Sequence, residues 1–432
     1  MQYTSSRLWR VIGATALAVG IVLPVAGPLR SAHTEAAGQT LQIYNDKATW
    51  TTWYNATGKQ AMASTGIGWK SAPYADTTTY QAAIRTSGRT NKAPDLFSWW
   101  SGWLMKDIVD AGIAADISPL WDKYARYYSP GLRAAMSFNG KTYGMPENLA
   151  YWVVFYNKHV FAKYGLTPPT TWAQLMTINK TLRSHGVAPL AMTDSGRWPT
   201  FIYFEELVAR TSPALYNGLV AGKIKYTDPR IVKVMDLWKS MIKEGDFTNP
   251  ATTQFGTSGS NDMISYFIKG KVAMVELGAW YEGTMVAAGL KPGVDYGAFI
   301  MPDVNPSAGN VVIFEVGPLS VGAHSPNTAA AMKAADYFMS KAGQQSWIKT
   351  TGFISPRSDV ESPNPVDHAL GAQLNAGKYT LLQRYWEATP HDIVEVAIDQ
   401  LDKFMLGKAD SLTTLKAIQT QADQSWANLG KQ

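Results

Sequence analysis

No cysteine occurs in the 432 residues. That excludes disulfides, thiol catalysis and thiolate metal sites, along with a lipid anchor on an N-terminal cysteine. Histidine is scarce: the six lie at positions 33, 159, 185, 324, 368 and 391. They show neither His-x-x-x-His nor His-Glu-x-x-His spacing, so a zinc site has no support. The strings GIGWKS and GTSGSN lack the glycine spacing and closing Lys-Ser/Thr of phosphate or dinucleotide loops. No Gly-x-Ser-x-Gly elbow appears either. The chain is therefore expected to carry no cofactor and no metal. Basic runs are missing as well. The net charge of +6 falls to about +4 once Arg7, Arg10, Arg30 and Glu35 are set aside with the N-terminal segment. A mild excess without clustering serves solubility and leaves no nucleic-acid footprint.

What is present is apolar bulk and indole. With 46% hydrophobic and 17% charged residues the chain can bury large cores, and its length favours two or three lobes. Tryptophan outnumbers phenylalanine, 16 to 14. An indole offers a broad apolar face and an N–H, a combination that serves a ligand surface as well as a core. The N-terminus pairs Arg7 and Arg10 with the apolar run VIGATALAVGIVLPVAG, the pattern of a secretory leader. Glu35 and His33 spoil a clean small-x-small cleavage site. The first 38 residues are read as a signal peptide or a retained N-terminal anchor, and the protein as exported to the cell surface, the periplasm or the medium. No later segment is apolar enough to span a membrane.

Strand-like and helix-like segments alternate, which argues for an α/β architecture. TLQIYN (Thr40 to Asn45), DLFSW (Asp95 to Trp99), YWVVFYN (Tyr151 to Asn157), KVAMVEL (Lys271 to Leu277) and NVVIFEV (Asn310 to Val316) read as strands covered on both faces. Helices are well punctuated. One is capped at Thr170 or Thr171 and stops at Gly186; another has Asp228 as cap, Pro229 first and Gly245 past its end. Ser325 to Gly343 reads as a single Ala-rich helix. Glu361 to His368 and Asn139 to Tyr151 are candidate crossings between lobes.

In open α/β sheets ligands gather beyond the carboxyl ends of strands. Those ends here carry Asp46, Lys47 and Trp50 after the first strand, and Trp99, Trp100 and Ser101 after the second. Glu147 and Asn148 precede the third. Ser195 and Trp198 follow PLAMTD, and Trp280 and Tyr281 follow KVAMVEL. Almost every end pairs an aromatic with a hydrogen-bonding group. Aromatic faces cover the C–H side of a sugar ring while polar groups contact its hydroxyls, inside an apolar pocket with a few placed polar groups. Paired carboxylates that could hydrolyse a glycoside are less convincing, because adjacent Glu205 and Glu206 on one helix point in different directions. No catalytic residue is assigned.

APDLFSWWSGWLMKDIVDAGIAADISPLWDKY, YGMPENLAYWVVFYNKHVF, FIKGKVAMVELGAWY, and GPLSVGAHSPNTAAAMKAADYFMSK with TGFISPRSDV follow one another in a familiar order. With them the chain, from about Thr40 to Leu429, resembles the extracellular solute-binding proteins of family 1, the sugar receptors of ABC transporters, a group that includes maltose-binding protein. The resemblance implies a two-lobe periplasmic-binding-protein fold of type II with discontinuous lobes joined by hinge crossings. The first lobe would hold 39–146 plus 317–361, the second 147–316 plus 362–432. It implies a non-catalytic monomer that closes on a sugar and delivers it to membrane permease subunits of an importer. The family's polar pair falls on Asp46 and Lys47, its aromatics on Trp99, Trp198 and Trp280. Arg357 in TGFISPRSDV either pins a loop or reaches the ligand. Gly102 and Trp103 stand where maltose-binding protein has an Asp and an Arg, which argues against maltose. Trp99 and Trp280 are expected to sandwich the sugar from opposite lobes. The alternatives are a receptor for a polyol or glycerol phosphodiester, and a secreted carbohydrate-active enzyme.

Overall fold

A computed structural model describes residues 38–255, 262–376 and 379–430. The leader expected over the first 38 residues lies outside them except for Gly38. Eleven strands follow in order: β1 (Gln39–Asn45), β2 (Ile67–Pro73), β3 (Leu96–Ser98), β4 (Ser137–Phe138), β5 (Lys141–Thr142) and β6 (Met145–Asn157), then β7 (Ala188–Leu190), β8 (Val272–Gly278), β9 (Tyr296–Phe299), β10 (Val311–Val321) and β11 (Thr380–Gln383). The main sheet runs β2-β1-β3-β10-β6-β8-β7, with β11 beside β10 and β9 beside β6. β1 pairs in parallel with β2 and β3, while β10 is antiparallel to both β3 and β6. This is a mixed α/β sheet with helices packed around it.

The core divides in two. One cluster gathers Leu41, Phe97, Trp99, Trp121, Leu319, Phe338 and Trp347. The other gathers Val153, Phe204, Trp238, Val275, Ile398 and Leu415. Only two partly buried side chains, Tyr151 and Trp280, pack against both clusters and against the small group Ala150, Ala279 and Ile354 between them, among the described residues. The long strands β6 and β10 carry the chain from one cluster to the other. β6 starts six residues before the expected Tyr151, running through a proline. Pro146 lies opposite Pro318 where the register shifts, so the missing N–H falls at an irregularity of the ladder. The crossing is thus a pair of strands rather than a loop.

Register fixes what faces each side of that crossing. Directly opposed residues share a face, and the face alternates along a strand. Phe314 opposite Tyr151 and Val316 opposite Leu149 lie on one side; Glu315 opposite Ala150 and Gly317 opposite Asn148 lie on the other. A Cβ on Gly317 would stand 2.0 Å from Asn148 Oδ1, so a larger residue there would have to push the Asn148 amide aside.

The helix caps behave as read. Thr171 forms a capping box with Gln174, and Asp228 caps Pro229–Glu244, which ends at Gly245 with φ 81°. The Ala-rich stretch is two helices, not one. Ser340 adopts an extended conformation that ends Thr328–Met339, and its hydroxyl accepts from Gly343 N–H to start Lys341–Thr351. A serine serves better as a cap than inside a helix, where it competes for backbone partners.

Candidate functional site

The carboxyl end of β1 is held by Asn45, which is fully buried. Its side chain donates to the Ile43 carbonyl (3.1 Å) and to Ser71 Oγ (3.0 Å), and accepts from Lys47 N–H (2.9 Å). Lys47 therefore enters from a fixed backbone. Its Nζ donates to Ser98 Oγ at 2.6 Å and to Asp46 Oδ1 at 3.3 Å, and stands 5.3 Å over Trp50 and 5.7 Å over Trp100. Thr77 donates to the other Asp46 oxygen at 2.6 Å. Burial alone would raise the Asp46 carboxyl; Lys47 and Thr77 outweigh it and hold the group below its usual range. Trp50 and Trp100 are both partly exposed. Polar groups and indole faces adjoin at this end of the sheet.

On the other cluster, Trp280 follows β8 and lies 5.9 Å from Trp198, which lies 5.0 Å from Phe255 and 6.3 Å from Trp152. Arg384, just after β11, covers this aromatic floor: its guanidinium stands 4.8 Å from Trp152 and 5.3 Å from Trp198. Nη1 meets Glu315 Oε2 at 2.7 Å and Glu387 Oε1 at 3.6 Å. Arg384 Nε is buried without a partner among the described residues. Glu315, Arg384, Trp152 and Asn148 belong to the same side of the crossing strands, and Asn148 Oδ1 is another buried atom without a partner there.

Trp198 is set by an unusual turn. Arg197 has φ 64° and ψ −53°, and Trp198 N–H bonds the Gly196 carbonyl at 2.8 Å. That is a γ-turn of the strained kind. The Arg197 side chain pairs with Glu395 (3.3 Å) and Asp399 (2.5 Å), both exposed. Glycine carries no Cβ penalty at positive φ, whereas alanine does. Arg197→Gly and Arg197→Ala lose the same ion pairs, so denaturant melts of the two variants are expected to differ by about 1 kcal/mol in favour of glycine. Equal stabilities would mean the turn is unstrained.

Several expected contacts lie elsewhere. Trp99 is 1% exposed. Its indole N–H donates to the Leu104 carbonyl at 2.9 Å and its ring packs on Tyr80 and Phe97, inside the first core. Adjacent residues of an extended segment point opposite ways, so Trp100 takes the outward position. Tyr281 is fully buried beside Phe155 and Phe255 in the second core. Glu147 is fully buried, with Tyr54 donating to one oxygen (2.6 Å) and Ser98 to the other (2.7 Å). Burial raises its carboxyl against the pull of Lys47 and these donors. Its place is structural support under Lys47. Ser101 is buried and accepts from Gln383 Nε2 at 3.1 Å, tying the start of Gly102–Asp110 to β11. Arg357 pins a loop: its guanidinium lies 3.8 Å over Tyr127, 2.6 Å from Asp359 and 3.0 Å from the Met339 carbonyl. It lines a cavity of about 1170 Å³ with Tyr151 and Phe314, on the opposite face of the crossing from Arg384. Ser195 is partly exposed at the head of the Arg197 turn.

Arg384, Trp386, Trp152 and Phe255 escaped the sequence reading. The signal for Arg384 and Trp386 was an aromatic beside a hydrogen-bonding group at a strand end, the pattern used elsewhere; β11 is only four residues long and was not recognised. The carboxylates weighed for hydrolysis are bound up in the second core. Glu205 accepts from Tyr385 N–H at 2.7 Å, and Glu206 pairs with Arg210 at 2.5 Å. Among the described residues no cluster of three metal-ligating side chains occurs, and no helix is long and apolar enough to cross a membrane.

Glu387, beside Arg384, carries a pH dependence. Burial pushes its carboxyl up to about 8, against the pull of Arg384. Its ordinary value is 4.5, so between these two pH values the folded chain holds a proton that the unfolded chain has released. Stability is full below the lower value and falls as pH rises through the upper one. Glu387→Gln is expected to flatten the decline of unfolding free energy across that window, a slope of up to about 1.4 kcal/mol per pH unit for one proton. An unchanged slope would contradict it.

Residues 40–345 match the sequence profile of the bacterial extracellular solute-binding proteins. An uncharacterised ABC transporter extracellular-binding protein of Pyrococcus horikoshii is 28% identical over 299 residues, 67% of this chain and 65% of the relative, just under two thirds of that protein's length. Among solved structures, the bacterial solute receptor AcbH, described as exclusive for β-D-galactopyranose, superposes with a TM-score of 0.78 at 20% identity, over 90% of this chain and 99% of that one. A chitin oligosaccharide binding protein gives 0.77 at 17% identity, over 90% and 98%. These likenesses extend across both clusters and the crossing strands, and fix the architecture as the two-lobe fold of such receptors. By its profile match the chain belongs to the family of bacterial extracellular solute-binding proteins.

Proposed function

We propose that this solute-binding protein is the exported receptor of a sugar ABC importer, holding a neutral saccharide between its lobes and presenting it to membrane permease subunits. One observation carries the sugar reading: partly exposed indoles adjoin both cores, Trp50 and Trp100 beside Lys47 on the first, and Trp198 beside Arg384 with Trp280 next to it on the second. Apolar ring faces next to fixed hydrogen-bonding groups suit a pyranose. The solved relatives described as receptors for β-D-galactopyranose and chitin oligosaccharide support the same class. The lobes are taken as 39–146 plus 317–361 and 147–316 plus 362–432; the first core falls in the first of these except for Leu149 and Val316, which lie on the crossing strands. Ligand contacts are Asp46, Lys47, Trp50, Trp100, Asn148, Ser195, Trp198 and Trp280, with Arg384 and Trp386 added. The protein acts as a monomer without catalysis, released or tethered by its N-terminal leader.

A phosphodiester ligand is disfavoured because the cations at hand are engaged: Lys47 pairs with Asp46, and Arg384 with Glu315 and Glu387. A thermal-shift and calorimetric panel of neutral mono- and oligosaccharides tests the reading, since a ligand of the native state raises the melting temperature. At least one sugar should bind; a response confined to charged solutes would end the proposal. With that sugar, Trp100→Ala is expected to lose about 1–3 kcal/mol of affinity with little change in stability. Trp99→Ala should instead lose about 3–5 kcal/mol of stability as a core truncation. The reverse pattern would return Trp99 to the site.

A further inference from the structure

Lys47 is held from beneath by a residue closed to solvent. Ser98, the last residue of β3, is fully buried, and its Oγ accepts from Lys47 Nζ at 2.6 Å. The same hydroxyl donates to Glu147 Oε2 at 2.7 Å, while Tyr54 donates to Oε1 at 2.6 Å. An ammonium has no lone pair and can only donate, so the single Ser98 hydrogen goes to Glu147. A carboxylate that accepts on both oxygens completes the chain. None of these side-chain oxygens is left without a partner among the described residues.

This chain of bonds is anchored on several elements. Glu147 is the third residue of β6, at the start of the crossing, and its carbonyl accepts from Trp347 N–H at 2.6 Å. The Trp347 ring stacks on Tyr54 at 5.2 Å, and Tyr54, Glu147 and Trp347 are all fully buried. Ser98 lies opposite Leu319 of β10. Lys47 itself keeps its side chain 22% exposed. Of its three N–H groups, one goes to Ser98 and one to Asp46, which leaves the third for the space beside Trp50 and Trp100.

We propose that Ser98 is a positioning residue: it relays Glu147 to Lys47 and aims the free Lys47 N–H at one oxygen of the bound sugar. The group met there must accept, as a hydroxyl or ring oxygen does, and a second ammonium is refused. Without Ser98 the ammonium keeps only Asp46 as a side-chain acceptor and swings toward it, so its direction is lost. Because Glu147 lies at the start of β6, the aim of Lys47 is tied to a strand that crosses between the lobes. The inference rests on the receptor reading for its sugar, but not for the bonds that orient Lys47.

Ser98→Ala and Tyr54→Phe each take one hydroxyl donor from Glu147, so a merely structural role would make them alike. In the full chain, ¹⁵N-labelled on lysine, the Lys47 ammonium is expected to give a resolved, slowly exchanging signal, assigned by its loss in Lys47→Gln. Ser98→Ala should abolish that signal, and Tyr54→Phe should preserve it. Should Ser98→Ala not fold, Ser98→Cys, of similar size and a weak acceptor, is read in its place. Calorimetry with D-galactose, D-glucose and N,N′-diacetylchitobiose supplies the second readout. For any sugar that the wild type binds, Ser98→Ala should weaken affinity about tenfold, and Tyr54→Phe by less than about twofold. An unchanged ammonium signal in Ser98→Ala, or equal effects of the two variants, overturns the relay. If none of the three sugars binds, the receptor reading fails for them, while the ammonium signal still decides the relay.

Discussion

Replacing Trp280 by alanine is expected to weaken sugar binding by about 100-fold, on the order of 3 kcal/mol, the loss seen when a central buried aromatic anchor is truncated. The size follows from its position. Trp280 is, with Tyr151, one of two partly buried side chains among the described residues packed against both cores and the crossing group, so it reports on both lobes at once. Its ring is braced by Trp198 at 5.9 Å and Tyr281 at 6.2 Å, which leaves little freedom to lose on binding. A preorganised ring returns more affinity than a mobile one. Removing it also takes away a contact by which the lobes sense each other, and closure depends on how differently the ligand engages the open and closed states. Calorimetry against the best sugar checks this; an affinity within a factor of about two of wild type would remove Trp280 from the site.

The second large effect concerns stability. Arg384→Leu is expected to destabilise the fold by about 3–5 kcal/mol, because breaking a buried pair leaves the other charge uncompensated. Arg384 is 7% exposed and faces Glu315 and Glu387, with Glu205 close enough to be felt. It also covers Trp152, Trp198 and Phe201, so its loss opens the aromatic floor. The charge and packing contributions separate in a double variant. Arg384→Met with Glu315→Leu should recover much of the loss in denaturant melts at neutral pH, since a well-packed apolar pair can replace a buried ion pair. If Arg384→Leu costs less than about 1 kcal/mol, the network is an exposed one and the floor is wetter than described.

Much of the architecture was legible because it depends on local chemistry. β1, β8, the Thr171 and Asp228 caps and the Gly245 stop all follow from patterns that local physics enforces. The resemblance to the solute-binding family sets the lobe boundaries near residues 146, 316 and 361, as an expectation; β6 and β10 pass through the first two. What escaped depends on register or on distant partners. DLFSWWSGW announces an aromatic pair at a strand end but not which ring faces out. That is settled by Trp99 N–H joining the Pro318 carbonyl at 2.7 Å, more than two hundred residues away in sequence. Arg357 carries a charge suited to a ligand, and only the fold shows it caged by tyrosines on the reverse face. Arg384 follows a four-residue strand too short to read, yet distant segments converge on it.

A crystal structure with the tightest sugar of the panel bound confronts the whole proposal at once. The pyranose should lie over the Trp198–Trp280 floor with Trp100 against it and Lys47 and Arg384 within hydrogen-bonding reach. Finding it instead beside Arg357 and Tyr151, on the far side of β6 and β10, would contradict the account.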